Sequence, residues 1–302
     1  MEIKYSFEYF WPNFDPQNNF FVSFIEGCLR ESGVERVSAT LEIQLHSVFG
    51  RPRRLNSLKR NILLLRAYVK KFIFRKAIIL IWYSGELGNP PKGYDLTLSY
   101  SPNLANNYYL PVWVIYTTDN EFPQKYDRDF IFKWDDLLKS RKPRPLNDCR
   151  LACTFISNPS QSRLDFALEL ERMGVLDIYG AVVGRPVKHK ADIAIDYIFQ
   201  LCLENKDSEN YITEKPFEAW YSGNIPVYRK SGELSPLNKK SYVDVSDDDP
   251  RFLAYELASI AEDSQRLDEL YREPILNERL NLQGLEKAFI QLVTRALKEN
   301  RR

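Results

Sequence analysis

A lysine at position 215 stands where a helix would not choose one. The segment "YITEKPFEAW" (211–220) reads as the opening of a helix. Thr213 is a natural N-cap, Glu214 sits favourably in the first turn, and Pro216 fits there because no intrahelical donor is needed. Phe217, Trp220 and Tyr221 recur at helical spacing as one buried face, and Gly223 closes the element. Lys215 alone conflicts, since a cation beside a helix N-terminus costs about 0.3–1 kcal/mol. Free backbone N–H groups together with a lysine make a site for a diphosphate. The competing reading is a lysine that pairs with a nearby carboxylate at the surface, and the residues alone leave both open. Arg163 adds a second cation at the start of a helix that follows a strand, a position that also suits a phosphate.

The elements that must hold these residues read as α/β. In the first half "EIKYSFEYF", "LEIQLHSVFG" (41–50), "AIILIWYSG" (77–85), "LTLSYS" and "PVWVIYT" are strand-like, and "NNFFVSFIEGCLRESG" (18–33) has helical spacing that ends at Gly33. "KSRKPRPLNDCR" (139–150) is polar, basic and carries two prolines, which marks it as a linker. A second series follows: strand "LACTFISN" (151–158), helix "SQSRLDFALELERMG" (160–174) with a Ser cap, strand "YIFQLCLEN" (197–205), the Lys215 helix and strand "IPVY". This predicts two domains, residues 1–145 and 146–302, with a cleft between them, and ligands beyond the carboxyl ends of the strands. The C-terminal "NLQGLEKAFIQLVTRALKENRR" is an amphipathic helix, suited to packing and a candidate to fold back on the first domain. Peripheral membrane association through it is the other use, although that asks for a larger cationic face.

Composition excludes several classes. The 302 residues carry a net charge of +1, so no global field points to nucleic acid, and the run "RPRRLNSLKR" (51–60) reads as a solvated face. Cys28, Cys149, Cys153 and Cys202 form no CxxC pair and read as reduced thiols; His46 and His189 are too few for a His-rich metal site. "DDDP" (247–250) reads as a turn and helix cap rather than a metal site. The N-terminus lacks the pattern of a signal peptide, and "FIFRKAIILIWYSG" (72–85) is too interrupted to span a bilayer. A cytoplasmic location follows, with the inner face of the membrane as the alternative.

"LCLENKDSENYITEKPFEAWYSGNIPVY" (201–228) resembles the donor-binding signature of the bacterial α-1,3/4-fucosyltransferases of glycosyltransferase family 10. "FWPNFDPQNNFF" (10–21), "HSVFG" (46–50), "YSGE" (83–86) and "ISNPSQSR" (156–163) resemble further segments of that family in the same order. The resemblance implies a GT-B architecture, two Rossmann-like domains facing across a cleft. It implies GDP-fucose as donor and inverting transfer of L-fucose to a hydroxyl, O3 of GlcNAc in a lactosamine-type or lipopolysaccharide glycan. A GT-B transferase with another nucleotide sugar or acceptor, or a non-catalytic glycan- or nucleotide-binding protein, are the alternatives.

The resemblance also assigns roles. Glu86 matches a general base, with Tyr83 and Gly85 shaping the approach to it. Arg163 and Lys215 would face the diphosphate, Tyr211 would donate its hydroxyl to a phosphate, and Glu214 would accept from a sugar hydroxyl. Asn205 would bind ligand or hold the loop. No cofactor is implied, and a divalent metal would be at most stimulatory. The chain departs from the family after "IPVY", where Arg229 and Lys230 stand in place of the common Trp-Gly, which bears on the donor sugar.

Overall fold

In the computed structural model of the chain, all strands of both five-stranded sheets run parallel. The structure describes residues 1–12, 14–34, 39–49, 53–101, 106–118, 130–146, 148–157, 161–206, 208, 210–228, 236–245 and 249–299, with only the backbone of 53–57. Two units divide the chain: Met1–Asp127 with Asn281–Arg302, and Arg128–Leu280.

The first unit opens with β1 (Glu2–Glu8), α1 (Phe20–Ser32), β2 (Thr40–His46), α2 (Arg53–Phe72), β3 (Ala77–Tyr83), β4 (Leu96–Ser99) and β5 (Asn107–Tyr109), the strands lying side by side in chain order. Asn19 caps α1 by accepting from Val22 N at 3.1 Å, and Gly33 ends it at φ +68°, a conformation that costs glycine nothing. All seven residues of β3, "AIILIWY", are buried, as the middle strand of a doubly covered parallel sheet requires. Ile78 and Leu80 meet Leu64 and Ala67 of α2. His46 is buried at the end of β2, where Nδ1 lies 2.8 Å from the Tyr94 hydroxyl.

"PVWVIYT" is not the strand its apolar run suggests. It forms a one-turn helix, α3 (Val112–Ile115), then a two-residue strand, β6 (Thr117–Thr118). Pro111 precedes the turn at φ −71°, and its carbonyl accepts from Val114 N at 3.1 Å. A short continuous apolar run fits a buried turn as well as a buried strand.

The second unit contains β7 (Phe132–Lys133), α4 (Trp134–Leu137), β8 (Arg150–Phe155), α5 (Gln161–Arg172), β9 (Leu176–Tyr179), α6 (Lys190–Ala194), β10 (Tyr197–Cys202), α7 (Lys215–Tyr221), β11 (Ile225–Tyr228), β12 (Val243–Asp244), α8 (Pro250–Glu262) and α9 (Ser264–Arg272). Its sheet order is β12-β11-β10-β8-β9. The chain leaves β8 to one side for β9, then crosses to the other side for β10. The carboxyl ends of β8 and β10 therefore flank a topological switch point, where open α/β sheets bind ligands. Asp249, the last aspartate of "DDDP", caps α8 by accepting from Arg251 N at 2.9 Å.

The last helix, α10 (Gln283–Glu299), belongs to the first unit. It packs against α1 and β3, with Leu285, Phe289, Val293, Ala296 and Leu297 buried. That apolar face is covered by protein.

The unit boundary also falls earlier than the basic segment 139–150 suggests, because that segment is a strap rather than a linker. Arg141 donates to the carbonyls of Tyr271 (2.9 Å), Trp220 (2.7 Å) and Asn224 (2.9 Å), and its guanidinium lies over the rings of Trp220 and Tyr271. Arg144 donates to the carbonyls of Gly223, Ile195 and Tyr197. Arg141→Ala should lower stability by about 1.5–3 kcal/mol, the usual worth of hydrogen bonds from a charged donor, and Arg141→Lys should not restore it, because a point charge cannot reproduce the fork. Urea denaturation followed by tryptophan fluorescence checks both variants.

Candidate functional site

The charged residues at the switch point are organised by a side chain that sequence reasoning passed over. Glu204 lies two residues beyond the end of β10, with a side chain only 11% exposed. One carboxylate oxygen accepts from Thr213 N at 2.9 Å and from Tyr228 Oη at 3.2 Å. The other accepts from Lys215 Nζ at 2.8 Å, and the Thr213 hydroxyl lies 2.8 Å from both. The quoted "LENK" contained the signal, a strand-end carboxylate eleven residues before the anomalous lysine. What was missing was the tertiary contact that makes them partners.

Lys215 is the first residue of α7, so its position at the helix start is real. Burial opposes its charge, but the Glu204 and Glu214 carboxylates outweigh that effect and hold its pKa above the ordinary lysine value. A carboxylate partner therefore exists, as the competing reading held, yet the pair is largely buried rather than a surface pair. Thr213 is not the N-cap. Glu214 occupies that position at φ −71°, while the Thr213 hydroxyl is held by Glu204 and receives Lys215 Nζ at 3.0 Å.

Arg163 projects from the first turn of α5 and is 7% exposed. Its Nη1 donates to Asn205 Oδ1 at 2.5 Å and to Leu203 O at 3.3 Å, just past the end of β10. Burial pushes its pKa down, while the charge of Glu204 and the proximity of Tyr211 act the other way. Tyr211 is buried, and its carbonyl accepts from Tyr228 Oη at 3.2 Å. The Glu214 carbonyl accepts from Glu218 N at 2.8 Å, and its side chain is half-buried. The structure thus brings Arg163, Asn205, Tyr211, Glu214 and Lys215 together around Glu204. Arg163 and Lys215 are balanced by Glu204 and Glu214, so the cluster holds two cations without net charge, in a poorly solvated setting where each charge acts strongly on its neighbours. The Arg229–Lys230 loop lies outside the described residues.

In the first unit, Glu86 is exposed, three residues past the end of β3. Ser84 shapes the turn: its Oγ donates to Glu86 O at 2.7 Å and accepts from Glu86 N at 3.2 Å. Gly85 sits at a close approach, since a Cβ there would lie 3.0 Å from Tyr83 Oη, 3.1 Å from Phe49 and 3.2 Å from Val112, and those side chains would have to shift by a few tenths of an ångström. Tyr83 is fully buried, its ring against Phe21 and Phe10. Tyr83 and Gly85 therefore buttress the turn from below, and the carboxylate of Glu86 is what the turn presents to solvent. Among the described residues, no three His, Cys, Asp or Glu side chains converge as a metal site would need.

Residues 147–273 match the family model described as glycosyltransferase family 10 (fucosyltransferase), C-terminal part. A stretch of 66 residues is 39% identical to the α-(1,3)-fucosyltransferase of Helicobacter pylori, covering 22% of this chain and 14% of that protein, well under two thirds of its length. A solved α1,3-fucosyltransferase with GDP-fucose superposes with a TM-score of 0.63 at 18% identity, over 97% of this chain and 90% of that one. An α1,3-fucosyltransferase with GDP gives 0.61 at 15% identity, over 97% and 91%. At these identities the superpositions establish the fold, a GT-B architecture of two Rossmann-like domains. The segment that matches the family 10 model, residues 147–273, carries the cluster built around Glu204.

Proposed function

We propose that the chain is an inverting fucosyltransferase. It moves L-fucose from GDP-β-L-fucose to a glycan hydroxyl, O3 of GlcNAc in a lactosamine-type or lipopolysaccharide acceptor. The observation that carries this reading is the pair of largely buried cations, Arg163 and Lys215, at the switch point of the second unit, inside the segment that matches the family. Arg163 and Lys215 face the diphosphate and stabilise GDP as negative charge develops on the departing phosphate oxygen. Tyr211 and Glu214 complete the donor contacts. Asn205 holds the Arg163 guanidinium, consistent with its 2.5 Å contact. Glu86 takes the acceptor proton while the acceptor oxygen bonds to the anomeric carbon and the bond to phosphate breaks, turning a β-linked donor into an α-linked product. The second reading, another donor sugar on the same phosphate site, draws on Arg229 and Lys230, which follow "IPVY" where the family resemblance leads one to expect Trp-Gly.

GDP-fucose offered with lactosamine-type and lipopolysaccharide-type acceptors, and products read by mass spectrometry, tests the reading. A mass increment of one deoxyhexose supports it, and no product with any acceptor overturns it. Lys215→Ala should weaken GDP binding by about 1.5–3 kcal/mol, the worth of a charge-assisted contact. Calorimetry on the folded variant decides, and unchanged affinity removes Lys215 from the donor site. Transfer should survive EDTA, because Arg163 and Lys215 supply the positive charge a cation would otherwise bring. Complete loss on chelation, rescued by one metal, would overturn that part.

A further inference from the structure

Helix α2 carries apolar residues on both of its faces. Leu64 and Ala67 pack against β3. On the opposite side Leu58, Ile62, Leu65, Val69 and Phe72 follow at steps of four, three, four and three residues, which at 3.6 residues per turn makes one continuous stripe. Leu58, Ile62, Leu65 and Phe72 are 62, 43, 65 and 68% exposed. Beyond the helix Ile73 and Phe74 are 70 and 64% exposed. A surface helix normally turns polar residues outward, and a contiguous apolar strip of this kind marks an interaction site.

Charge selects the occupant. From residue 58 to 76 the chain carries Lys59, Arg60, Arg66, Lys70, Lys71, Arg75 and Lys76, and no acidic residue. Lys70 and Lys71 are engaged by Glu42 at 3.1 Å and Asp95 at 2.8 Å. Lys59, Arg66, Arg75 and Lys76 are exposed along and beyond the stripe. The spacing of the stripe is one that a second copy of α2 could match. In such a pair, however, Lys59 and Arg66 would border the seam on both copies, with no carboxylate of this face to meet them. An anionic bilayer surface satisfies both halves of the pattern: headgroups take the cations, and the acyl boundary takes the leucines and phenylalanines. Such a helix lies in the interface, and no described helix is long and apolar enough to cross a membrane.

We infer that the outer face of α2, with Ile73 and Phe74, docks the chain on an anionic membrane surface. This does not depend on which sugar the chain transfers. The full chain should co-sediment with vesicles of phosphatidylcholine and phosphatidylglycerol, far less with phosphatidylcholine alone, and should be released by high salt. Leu65→Gln/Phe72→Gln and Lys59→Glu/Arg66→Glu should each lower partitioning by roughly tenfold or more. These side chains are exposed, so circular dichroism should show an unchanged fold. Phe252→Gln/Tyr255→Gln, on the exposed side of α8, should bind like the parent. Equal binding to neutral vesicles, no binding to either, or undiminished binding by both α2 variants overturns the inference. So does a lipid-free dimer that Leu65→Gln/Phe72→Gln abolishes, which would assign the face to a second copy.

Discussion

Glu86→Gln is expected to lose fucose transfer by about 10²–10⁴, the usual worth of general-base assistance, while GDP-fucose affinity changes little. The variant keeps the size of the side chain and removes only its capacity to take a proton. Its backbone is held by Ser84 and its neighbours Tyr83 and Gly85 are buried, so the turn should survive the exchange. Arg163 and Lys215, the proposed diphosphate contacts, belong to the second unit, which is why affinity and turnover should separate. Turnover and donor affinity are measured on the same folded preparation. Near-normal turnover would exclude Glu86 as the base; a parallel loss of donor affinity would make it a structural residue instead.

Glu204→Gln should destabilise the second unit by about 3–5 kcal/mol, the cost of removing one partner from a buried ion pair. Lys215 Nζ, Thr213 and Tyr228 all converge on this carboxylate, and with side chains 11 and 19% exposed water cannot take over its role. The pH dependence has a definite sign. The pKa of Lys215 is raised in the folded chain, so the pair stabilises fully from neutral pH up to the ordinary lysine value of 10.5 and is lost as pH rises through the raised value. Parent and variant should therefore differ by a constant amount near neutrality and converge only in strong base. GDP should also raise the melting temperature of the variant more than that of the parent, since the diphosphate then competes with one carboxylate fewer for Lys215 and Arg163. An unchanged melting temperature would mean that the pair contributes nothing to stability.

Much of the scaffold was legible because local chemistry and tertiary packing agree there. The seven apolar residues of β3 and the left-handed Gly33 leave little choice. Lys215 was visible as a local contradiction, and contradictions of this type concentrate at sites. Glu204 was not visible, because its meaning comes from a chain reversal between β10 and α7 that no periodicity encodes. Arg141 and Arg144 were misread because a strap and a linker have the same composition; only the carbonyls they reach distinguish them. The outer stripe of α2 was hidden by the basic residues among which it lies.

The strap has a consequence for where the second unit can be cut. The stretch alike between relatives begins at 147, but the folding unit begins at 128. A fragment cut at 147 would lose Arg141, Arg144 and the fully buried Leu137, whose carbonyl accepts from Leu276 N at 3.0 Å. The carbonyls of Trp220, Gly223 and Asn224, at the C-terminal end of α7, would be left without these donors. A chimera that takes the matching stretch from a relative must therefore carry the strap across with it, because the likeness and the folding unit begin at different residues.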